Sequence, residues 1–244
     1  MNVEEVKQQK KVSWELFNQI SGHYDQLNRI LSLGIDTYWR RQLVKAVPDQ
    51  SKLKILDLAT GTGDIAFRMG HRYSKNIIQL LGIDMSEKML GLARKKQLQM
   101  NQSLNIQFMT GNATNIPVDD NQMSVVSMAF GIRNVEAYQD ALDQIYRVLV
   151  PGGKVLILEC TIPRYPVIKS LYLAYFRYIL PLIGGLVSGN KSAYQYLNRT
   201  VEAFPQGADF GEKLALSGFE SIKITPMSLG TATLYEAIKP ASKQ

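Results

Sequence analysis

Short apolar runs alternate along the chain with longer amphipathic stretches. The apolar runs fall near residues 54–59, 77–84, 105–110, 124–130 and 153–160, and the amphipathic stretches near 64–72, 86–100 and 136–149. Strands that alternate with helices in this way predict an α/β fold with a doubly wound sheet. Ile55, Leu56 and Leu58 make the first run a strand that is expected to be buried on both faces, as in a parallel sheet.

Three segments lie outside this alternation. Residues 1–50 predict a helical cap with a break near Gly34, and residues 162–205 predict an apolar helical insertion. Residues 206–244 read as a tail with two further strands. Since 244 residues suit one domain, residues 51–161 are expected to form the core of a single unit. The insertion is a lid over an apolar substrate, a surface that touches a bilayer, or a cap with a buried apolar face.

The chemistry centres on residues 54–69, which read as an apolar strand, a glycine turn and the start of a helix. Gly61 and Gly63 allow the positive φ that such a turn needs, and they let a ligand approach the backbone. Backbone N–H groups at a helix start point toward a ligand above the strand end. The next strand ends at Asp84, which is placed to accept hydrogen bonds from both hydroxyls of a ribose.

This turn fits two classes of nucleotide cofactor. Gly61-x-Gly63-x-x-Ala66 matches the short dinucleotide fingerprint, so NAD is one candidate. Asp64 stands where a dinucleotide places its pyrophosphate, and a carboxylate there repels phosphate. S-adenosylmethionine carries a sulfonium and an ammonium instead, so Asp64 favours it, and Asp57 adds further negative charge. Alternatively, Asp64 only begins a helix after an ordinary loop.

Several motifs resemble, in the expected order, those of class I S-adenosylmethionine-dependent methyltransferases. They are DLATGTGD (57–64), GIDMSEKML (82–90), GNATNIP (111–117) and RVLVPGGKVLILE (147–159). Three more resemble the C-methyltransferase family of menaquinone and ubiquinone biosynthesis: YDQLNRILSLGIDTYWR (24–40), AFGIRNV (129–135) and SAYQYLNRTVEAFP (192–205). The resemblance runs from about Trp14 to near the C-terminus. It implies a Rossmann-like sheet in the order 3-2-1-4-5-7-6 with an antiparallel last strand.

The resemblance also implies which residues hold S-adenosylmethionine: Gly61, Thr62, Gly63, Asp84, Met85, Asn112 and Ala113. The glycine turn is expected to lie against the methionine part, Asp84 on the ribose and Met85 on the adenine. Asn112 and Ala113 match family positions at the adenine edge, where an amide and a backbone N–H can read the ring. Asn is also common in turns, so Asn112 has a purely structural alternative.

Four residues are candidates for the chemistry: Tyr24, Asp36, Arg133 and Asn134. The resemblance implies methyl transfer to a ring carbon of a prenylated quinol, with demethylmenaquinol as the favoured substrate. Asp36 stands where many family members have His, and both side chains can accept a proton. Arg133 is too basic to act as a simple base, but it can hold a water or stabilise a phenolate. Alternatively, Arg133 is a loop residue paired with a surface carboxylate. His23 is a further candidate for the base that accepts the hydroxyl proton.

Charge and composition limit the classes of binding partner and the cellular compartment that are expected. The net charge of +7 permits attraction to anionic membranes or nucleic acid without requiring either, and no nucleic-acid partner is expected. Cys160 is the single cysteine and is interpreted as a core residue, which suits a reducing cytoplasm. We see no signal peptide, no spanning segment and no cluster of metal ligands. Peripheral contact with the inner face of the cell membrane and a homodimer both stay open.

Other functions also stay open. They are methylation of a benzoquinol precursor of ubiquinone or of another phenol-like molecule, NAD-dependent oxidoreduction, and binding of S-adenosylmethionine without catalysis. The motif at 24–40 favours a quinol over other small molecules, and Asp64 disfavours NAD. Tyr24, Asp25, Arg133 and Asn134 are retained, which disfavours a non-catalytic protein.

Overall fold

A computed structural model describes residues 22, 24–100, 105–179 and 198–241. The strands are β1 (Leu53–Leu58), β2 (Ile77–Asp84), β3 (Ile106–Thr110), β4 (Met123–Ala129), β5 (Leu149–Cys160), β6 (Glu220–Met227) and β7 (Ala232–Ile238). The helices are α1 (Tyr24–Leu31), α2 (Asp36–Lys45), α3 (Asp64–Arg72), α4 (Glu87–Gln99), α5 (Tyr138–Val148), α6 (Pro166–Ala174) and α7 (Ala208–Leu216). Short helical turns occupy Ile132–Asn134, Tyr175–Ile179 and Ser228–Gly230, and residues 198–203 are also helical.

The seven strands form one sheet in the order β3-β2-β1-β4-β5-β7-β6, which confirms the order that the resemblance implied. β1 to β5 pair in parallel, and β7 lies antiparallel between β5 and β6. The order reverses between β1 and β4. In open α/β sheets a crevice forms outside the carboxyl ends of the strands at such a point, and ligands bind there.

Helices cover both faces of the sheet, so the described residues form two apolar cores. The side chains of β1 divide between them, because successive strand residues point to opposite faces. Ile55 belongs to the core beneath α2 and α3, whereas Leu56 and Leu58 belong to the core beneath α5 and α7. All three side chains are buried, which confirms the prediction of a strand covered on both faces.

The predicted element bounds hold within a few residues, except at β5. We expected the turn at Gly152-Gly153 to precede this strand, but it lies inside it. Leu149 already pairs with Met123 before the turn, and the register shifts where the turn bulges out. Gly152 takes a φ of +79° there, a backbone conformation that favours glycine.

The N-terminal cap contributes α1 and α2, and the predicted break between them lies at Gly34, whose φ is +79°. Of the insertion, the structure describes α6, the turn Tyr175–Ile179 and the residues from 198 onward. His23, the side chain of Tyr24 and residues 180–197 lie outside the described part of the chain. Across the described part, no helix combines the length and the apolarity needed to cross a membrane.

Candidate functional site

A first cavity, of about 360 Å³, opens at the carboxyl ends of β1, β2 and β4. This is the crevice that the reversal of strand order creates. Its wall combines backbone-rich turns with sulfur and aromatic side chains. Among its lining residues are Gly61, Asp84, Met85, Asn112, Ala113, Phe130 and Asn134.

The two glycines of the turn after β1 have different tasks. Gly61 and Gly63 take φ values of +57° and +83°, as the pattern predicted. A Cβ on Gly61 would meet no atom within 4 Å, so the space above it is open to a ligand. A Cβ on Gly63 would lie 2.8 Å from Phe67 and 3.1 Å from Phe108. Gly63 therefore allows α3 to pack closely on the sheet and does not line the first cavity.

Asp84 is anchored by the backbone at the end of β2. Its two carboxylate oxygens accept hydrogen bonds from the N–H groups of Gly61 and Ser86, each at 2.8 Å. Burial raises the pKa of Asp84, and these hydrogen bonds act in the opposite direction. The carboxylate lines the first cavity in a fixed orientation, which fits the expected contact with ribose hydroxyls.

The side chain of Thr62 contacts the N-terminal helical cap. Its hydroxyl donates a hydrogen bond of 2.8 Å to Asp25 on α1, and the Asp25 carboxylate also pairs with Lys96. Thr62 is buried and does not line the first cavity, so its expected contact with the cofactor is not supported by its side chain. The contact instead fastens α1 to the glycine turn, which the motif alone did not indicate.

The two acidic residues around this turn are both compensated. Asp64 begins α3, but its carboxylate pairs with Arg40 at 3.3 Å and with Arg68 at 3.1 Å. Asp57 lies buried below the turn and accepts hydrogen bonds from Thr60 at 2.6 Å and Ser127 at 2.7 Å. Neither residue lines the first cavity, whose described lining carboxylates are Asp84 and Glu136.

The three residues predicted to contact the adenine, Met85, Asn112 and Ala113, all line the first cavity. Met85 and Ala113 line the wall, and Met85 is half exposed. Asn112 lines it too, while its amide oxygen accepts a hydrogen bond of 3.1 Å from the N–H of Thr114. Asn112 is therefore a turn residue and a wall residue at once, since this turn forms part of the cavity.

A second cavity, of about 220 Å³, lies between the N-terminal helices and α6. Its wall is largely aromatic and apolar, with charged groups on α2 and after β4. Its principal lining residues are Asp36, Trp39, Arg40, Phe130, Arg133, Cys160, Tyr172 and Phe176. Phe130 lines both cavities, so they adjoin at this residue. The backbone of Phe130 has a φ of +58°, a costly conformation that is typical of functional positions.

Asp36 is held in the second cavity by two arginines. One oxygen lies 3.2 Å from Arg29 and accepts a hydrogen bond of 2.9 Å from the Ser32 hydroxyl. The other lies 3.3 Å from Arg40, whose guanidinium stacks 5.1 Å from the ring centroid of Phe130. Sequence reasoning overlooked Arg40, which links Asp36 to Asp64 and to the aromatic wall. Both oxygens are engaged, but Oδ2 has only the Arg40 contact among the described residues, so its second lone pair can still accept a hydrogen bond.

Arg133 follows β4 on the turn Ile132–Asn134 and lines the second cavity. Its Nη1 donates a hydrogen bond of 3.0 Å to the carbonyl of Phe130 and pairs with Glu159. Glu159 is fully buried, so the alternative of a surface ion pair for Arg133 is wrong. Glu159 could have been noticed in the sequence, because it is the one charged residue in the apolar run after Lys154.

Asn134 faces the first cavity although it follows Arg133 directly in the chain. Its Nδ2 donates a hydrogen bond of 3.3 Å to the Phe130 carbonyl. Its Oδ1 is buried and has no partner among the described residues, so it can accept a hydrogen bond from a ligand. The structure thus separates two neighbours that the motif had grouped as catalytic.

The family model described as the ubiE/COQ5 methyltransferase family matches residues 3–239. The chain belongs to this family. It is 42% identical over 228 residues to the demethylmenaquinone methyltransferase of Chlorobaculum tepidum, covering 92% of this chain and 90% of that protein. It is 40% identical over 225 residues to the ubiquinone/menaquinone biosynthesis C-methyltransferase UbiE of Geotalea daltonii, covering 92% and 95%.

Solved structures support the fold of this ubiE/COQ5 family member. A SAM-dependent methyltransferase of Thermotoga maritima gives a TM-score of 0.65 at 17% identity, covering 93% of this chain and 99% of that one. Phosphoethanolamine N-methyltransferase 2 of Haemonchus contortus, in complex with S-adenosyl-L-methionine, gives 0.59 at 17% identity, covering 81% and 51%. Both comparisons confirm the class I methyltransferase sheet.

The remaining polar groups of the second cavity limit the choice of base in this family member. Burial raises the pKa of the Cys160 thiol to about 12 and that of Tyr172 well above its ordinary value. Both groups are neutral near pH 7, so neither accepts a proton readily. Cys160 is partly buried at the cavity wall rather than inside an apolar core. No group of three metal-ligating side chains occurs in the part of the chain that the structure describes.

Proposed function

We propose that this protein transfers the methyl group of S-adenosylmethionine to a ring carbon of a prenylated quinol, with demethylmenaquinol as the substrate. The observation that carries this proposal is the meeting of the two cavities at Phe130. One cavity presents the turns that suit a nucleoside, and the other is aromatic with charged groups at its wall. A cofactor and a flat aromatic substrate can therefore lie next to each other on the two sides of this residue.

The first cavity suits the cofactor at several points. The open space above Gly61 lets a ligand reach the turn, and Asp84 presents an anchored carboxylate. The unsatisfied amide oxygen of Asn134 offers one more acceptor. When bound, S-adenosylmethionine supplies an electrophilic methyl group on a positively charged sulfur. The protein's contribution is to align this methyl with the ring carbon and to exclude water.

The second cavity supplies the acid–base chemistry. A quinol ring carbon becomes a good nucleophile when the neighbouring hydroxyl ionises. Asp36 accepts this proton, directly or through a water, and the guanidinium of Arg133 stabilises the resulting phenolate. The ring carbon then takes the methyl group that the sulfonium would supply, the methylated carbon loses its proton to water, and Asp36 returns its proton to the ring oxygen. Asp36, Arg133 and Asn134 thus have different tasks on two sides of Phe130.

Turnover with a soluble short-chain quinol tests the proposal. Purified protein with S-adenosylmethionine should convert demethylmenaquinol to a product that is heavier by one methylene, as measured by mass spectrometry. A strain that lacks the protein should accumulate demethylmenaquinone. A benzoquinol precursor assayed in parallel separates the two quinol classes by their kcat/KM values. An unchanged quinone pool in the deletion strain would contradict the proposal.

We also propose peripheral contact with an anionic bilayer at the mouth of the second cavity. Leu33 lines that cavity yet is 78% exposed, Leu171 on α6 is 65% exposed, and Lys169 lies nearby in the chain. An exposed apolar rim with basic neighbours suits a membrane surface, and a prenylated substrate resides in the membrane. The homodimer remains a prediction.

Vesicle co-sedimentation tests this contact. The protein should bind anionic vesicles at low salt, and Leu33→Asp with Leu171→Asp should abolish binding. Leu216→Asp is the matched control, because Leu216 is equally exposed but lies on α7, away from both cavities. Equal binding by all variants would show that the rim does not meet the membrane.

A further inference from the structure

Glu159 is a fully buried carboxylate that lines neither cavity. One of its oxygens pairs with Nη1 of Arg133 and accepts a hydrogen bond of 2.8 Å from the N–H of Cys160. The other accepts the backbone N–H of Arg133 at 3.4 Å. A single carboxylate therefore holds both the main chain and the side chain of Arg133.

The sheet itself brings these two residues together. β4 and β5 are parallel neighbours, and Ala129 at the end of β4 pairs with Leu158. Glu159 follows Leu158 directly and so lies beside the turn that carries Arg133. No local motif encodes this contact, because the partners are 26 residues apart in the chain.

An ion pair in this place is costly if its only purpose is stability. Two buried charges lose their hydration, and apolar residues of similar volume often stabilise a fold equally well. An arginine side chain also has many rotamers, and holding one of them costs entropy. The pair does, however, fix geometry: Nη1 of Arg133 is held by Glu159 on one side and by the Phe130 carbonyl on another. The plane of the guanidinium at the cavity wall is thereby set.

We infer that Glu159 is a positioning residue for methyl transfer. It orients the guanidinium of Arg133 toward the ring oxygen of the bound quinol without touching the quinol itself. The inference rests on the proposed function, because it assigns to Arg133 the task of stabilising the phenolate. It adds a residue that acts entirely through Arg133.

A double-mutant cycle tests this dependence. Glu159→Gln should lower kcat by about 10²-fold, the cost typical of misplacing a reacting group by about an ångström. The Kd of S-adenosylmethionine should not change, because Glu159 is outside the first cavity. Arg133→Gln should lower kcat at least as much. In the Arg133→Gln background, Glu159→Gln should cost less than about twofold more, because its target is gone.

Two further variants keep the test decisive. Glu159→Asp restores the charge on a shorter side chain, so its kcat should lie between those of wild type and Glu159→Gln; it replaces Glu159→Gln in the cycle if that variant does not fold. Glu236→Gln is the matched control, because Glu236 is also buried and pairs with Lys154 at 2.7 Å and Lys223 at 3.0 Å, away from both cavities. It should lower the melting temperature and leave kcat unchanged.

Two results would overturn the inference. One is a Glu159→Gln protein with a lower melting temperature but wild-type kcat, which assigns Glu159 to the fold alone. The other is a cycle in which Glu159→Gln costs the same factor with and without Arg133. A wild-type protein that does not methylate demethylmenaquinol would instead contradict the proposed function, so the two failures are distinguishable.

Discussion

The two cavities meet at Phe130 but are built in opposite ways. The first is assembled from turns that follow neighbouring strands, and the backbone N–H groups of Gly61 and Ser86 hold the lining carboxylate of Asp84. The second is assembled from α1, α2, the turn after β4, the end of β5 and α6. Its charged groups are held by other side chains, as Asp36 is held by Arg29 and Arg40.

Because of this difference, we expect the two cavities to respond differently to amino-acid substitutions. In the first cavity the orienting groups are backbone N–H groups, which most substitutions leave in place, so its weak points are the glycines and the carboxylate itself. In the second cavity Asp36, Arg40 and Arg133 are buried and are oriented mainly by oppositely charged side chains. Removing one member of such a pair leaves its partner unpaired and buried, which is more damaging than the loss of one hydrogen bond.

The largest effect is expected at Asp84, which tests the first cavity. Asp84→Ala removes the two charge-assisted hydrogen bonds expected to the ribose, worth about 1.5–3 kcal/mol each, and frees the Gly61 turn. The affinity for S-adenosylmethionine should fall by about 10²- to 10⁴-fold in isothermal titration. Asp209→Ala, at an exposed position on α7, is the control. Wild-type affinity in the Asp84 variant would refute the assignment.

The next largest effect concerns Asp36 in the second cavity. Asp36→Asn keeps the shape of the side chain and removes proton acceptance, so kcat should fall by roughly 10²-fold, the lower end for a general base. The Kd of S-adenosylmethionine should stay the same. Asp36 follows the N-cap residue Ile35 in α2, and its carboxylate bonds arginines rather than backbone N–H groups. If kcat remains at the wild-type value, Asp36 only neutralises those arginines.

The two glycines of the turn should separate binding from stability. Gly63→Ala combines a positive φ with one contact of 2.8 Å to Phe67, so the free energy of unfolding should fall by about 2–4 kcal/mol. Gly61→Ala carries the cost of the positive φ alone, about 1–2 kcal/mol. Its Cβ enters open space in the cavity, so its main effect should be weaker cofactor binding. Thermal melts measure the stability of both variants, and titrations measure their affinity for S-adenosylmethionine. Equal melting temperatures would contradict the prediction that Gly63→Ala is the more destabilising change.

The smallest effect concerns Asp57, below the first cavity. Burial raises the pKa of Asp57 from its ordinary 3.8 to about 6 in the folded protein. The folded state therefore binds the proton more tightly, and this group lowers the free energy of unfolding as the pH rises from about 4 to above 6. The loss amounts to roughly 2–3 kcal/mol for a shift of this size.

Asp57→Asn removes that titration. Urea unfolding should show the stability of the variant rising relative to wild type by roughly 2–3 kcal/mol between pH 4 and pH 7. The hydroxyls of Thr60 and Ser127 can reorient to suit the amide, so the variant should remain folded. A constant difference between the two proteins across this range would show that Asp57 titrates normally.

The sequence by itself determined the fold and much of the first cavity. The apolar runs indicated β1 to β5, and the two glycines with Asp84 indicated a nucleoside site, because these features depend on short-range geometry. Backbone turns of this kind need particular residues at particular spacings, so their pattern is visible without a structure. The strand order and the antiparallel last strand came from the resemblance and agree with the sheet.

Only the tertiary structure decided how the charged side chains are partnered. Asp64 pairs with Arg40, Thr62 with Asp25, and Arg133 with Glu159. Each pair joins residues on different elements, so the pairing depends on strand register and helix packing rather than on spacing along the chain. The separation of Arg133 and Asn134 into two cavities has the same origin, because the turn after β4 projects consecutive side chains to opposite sides of Phe130.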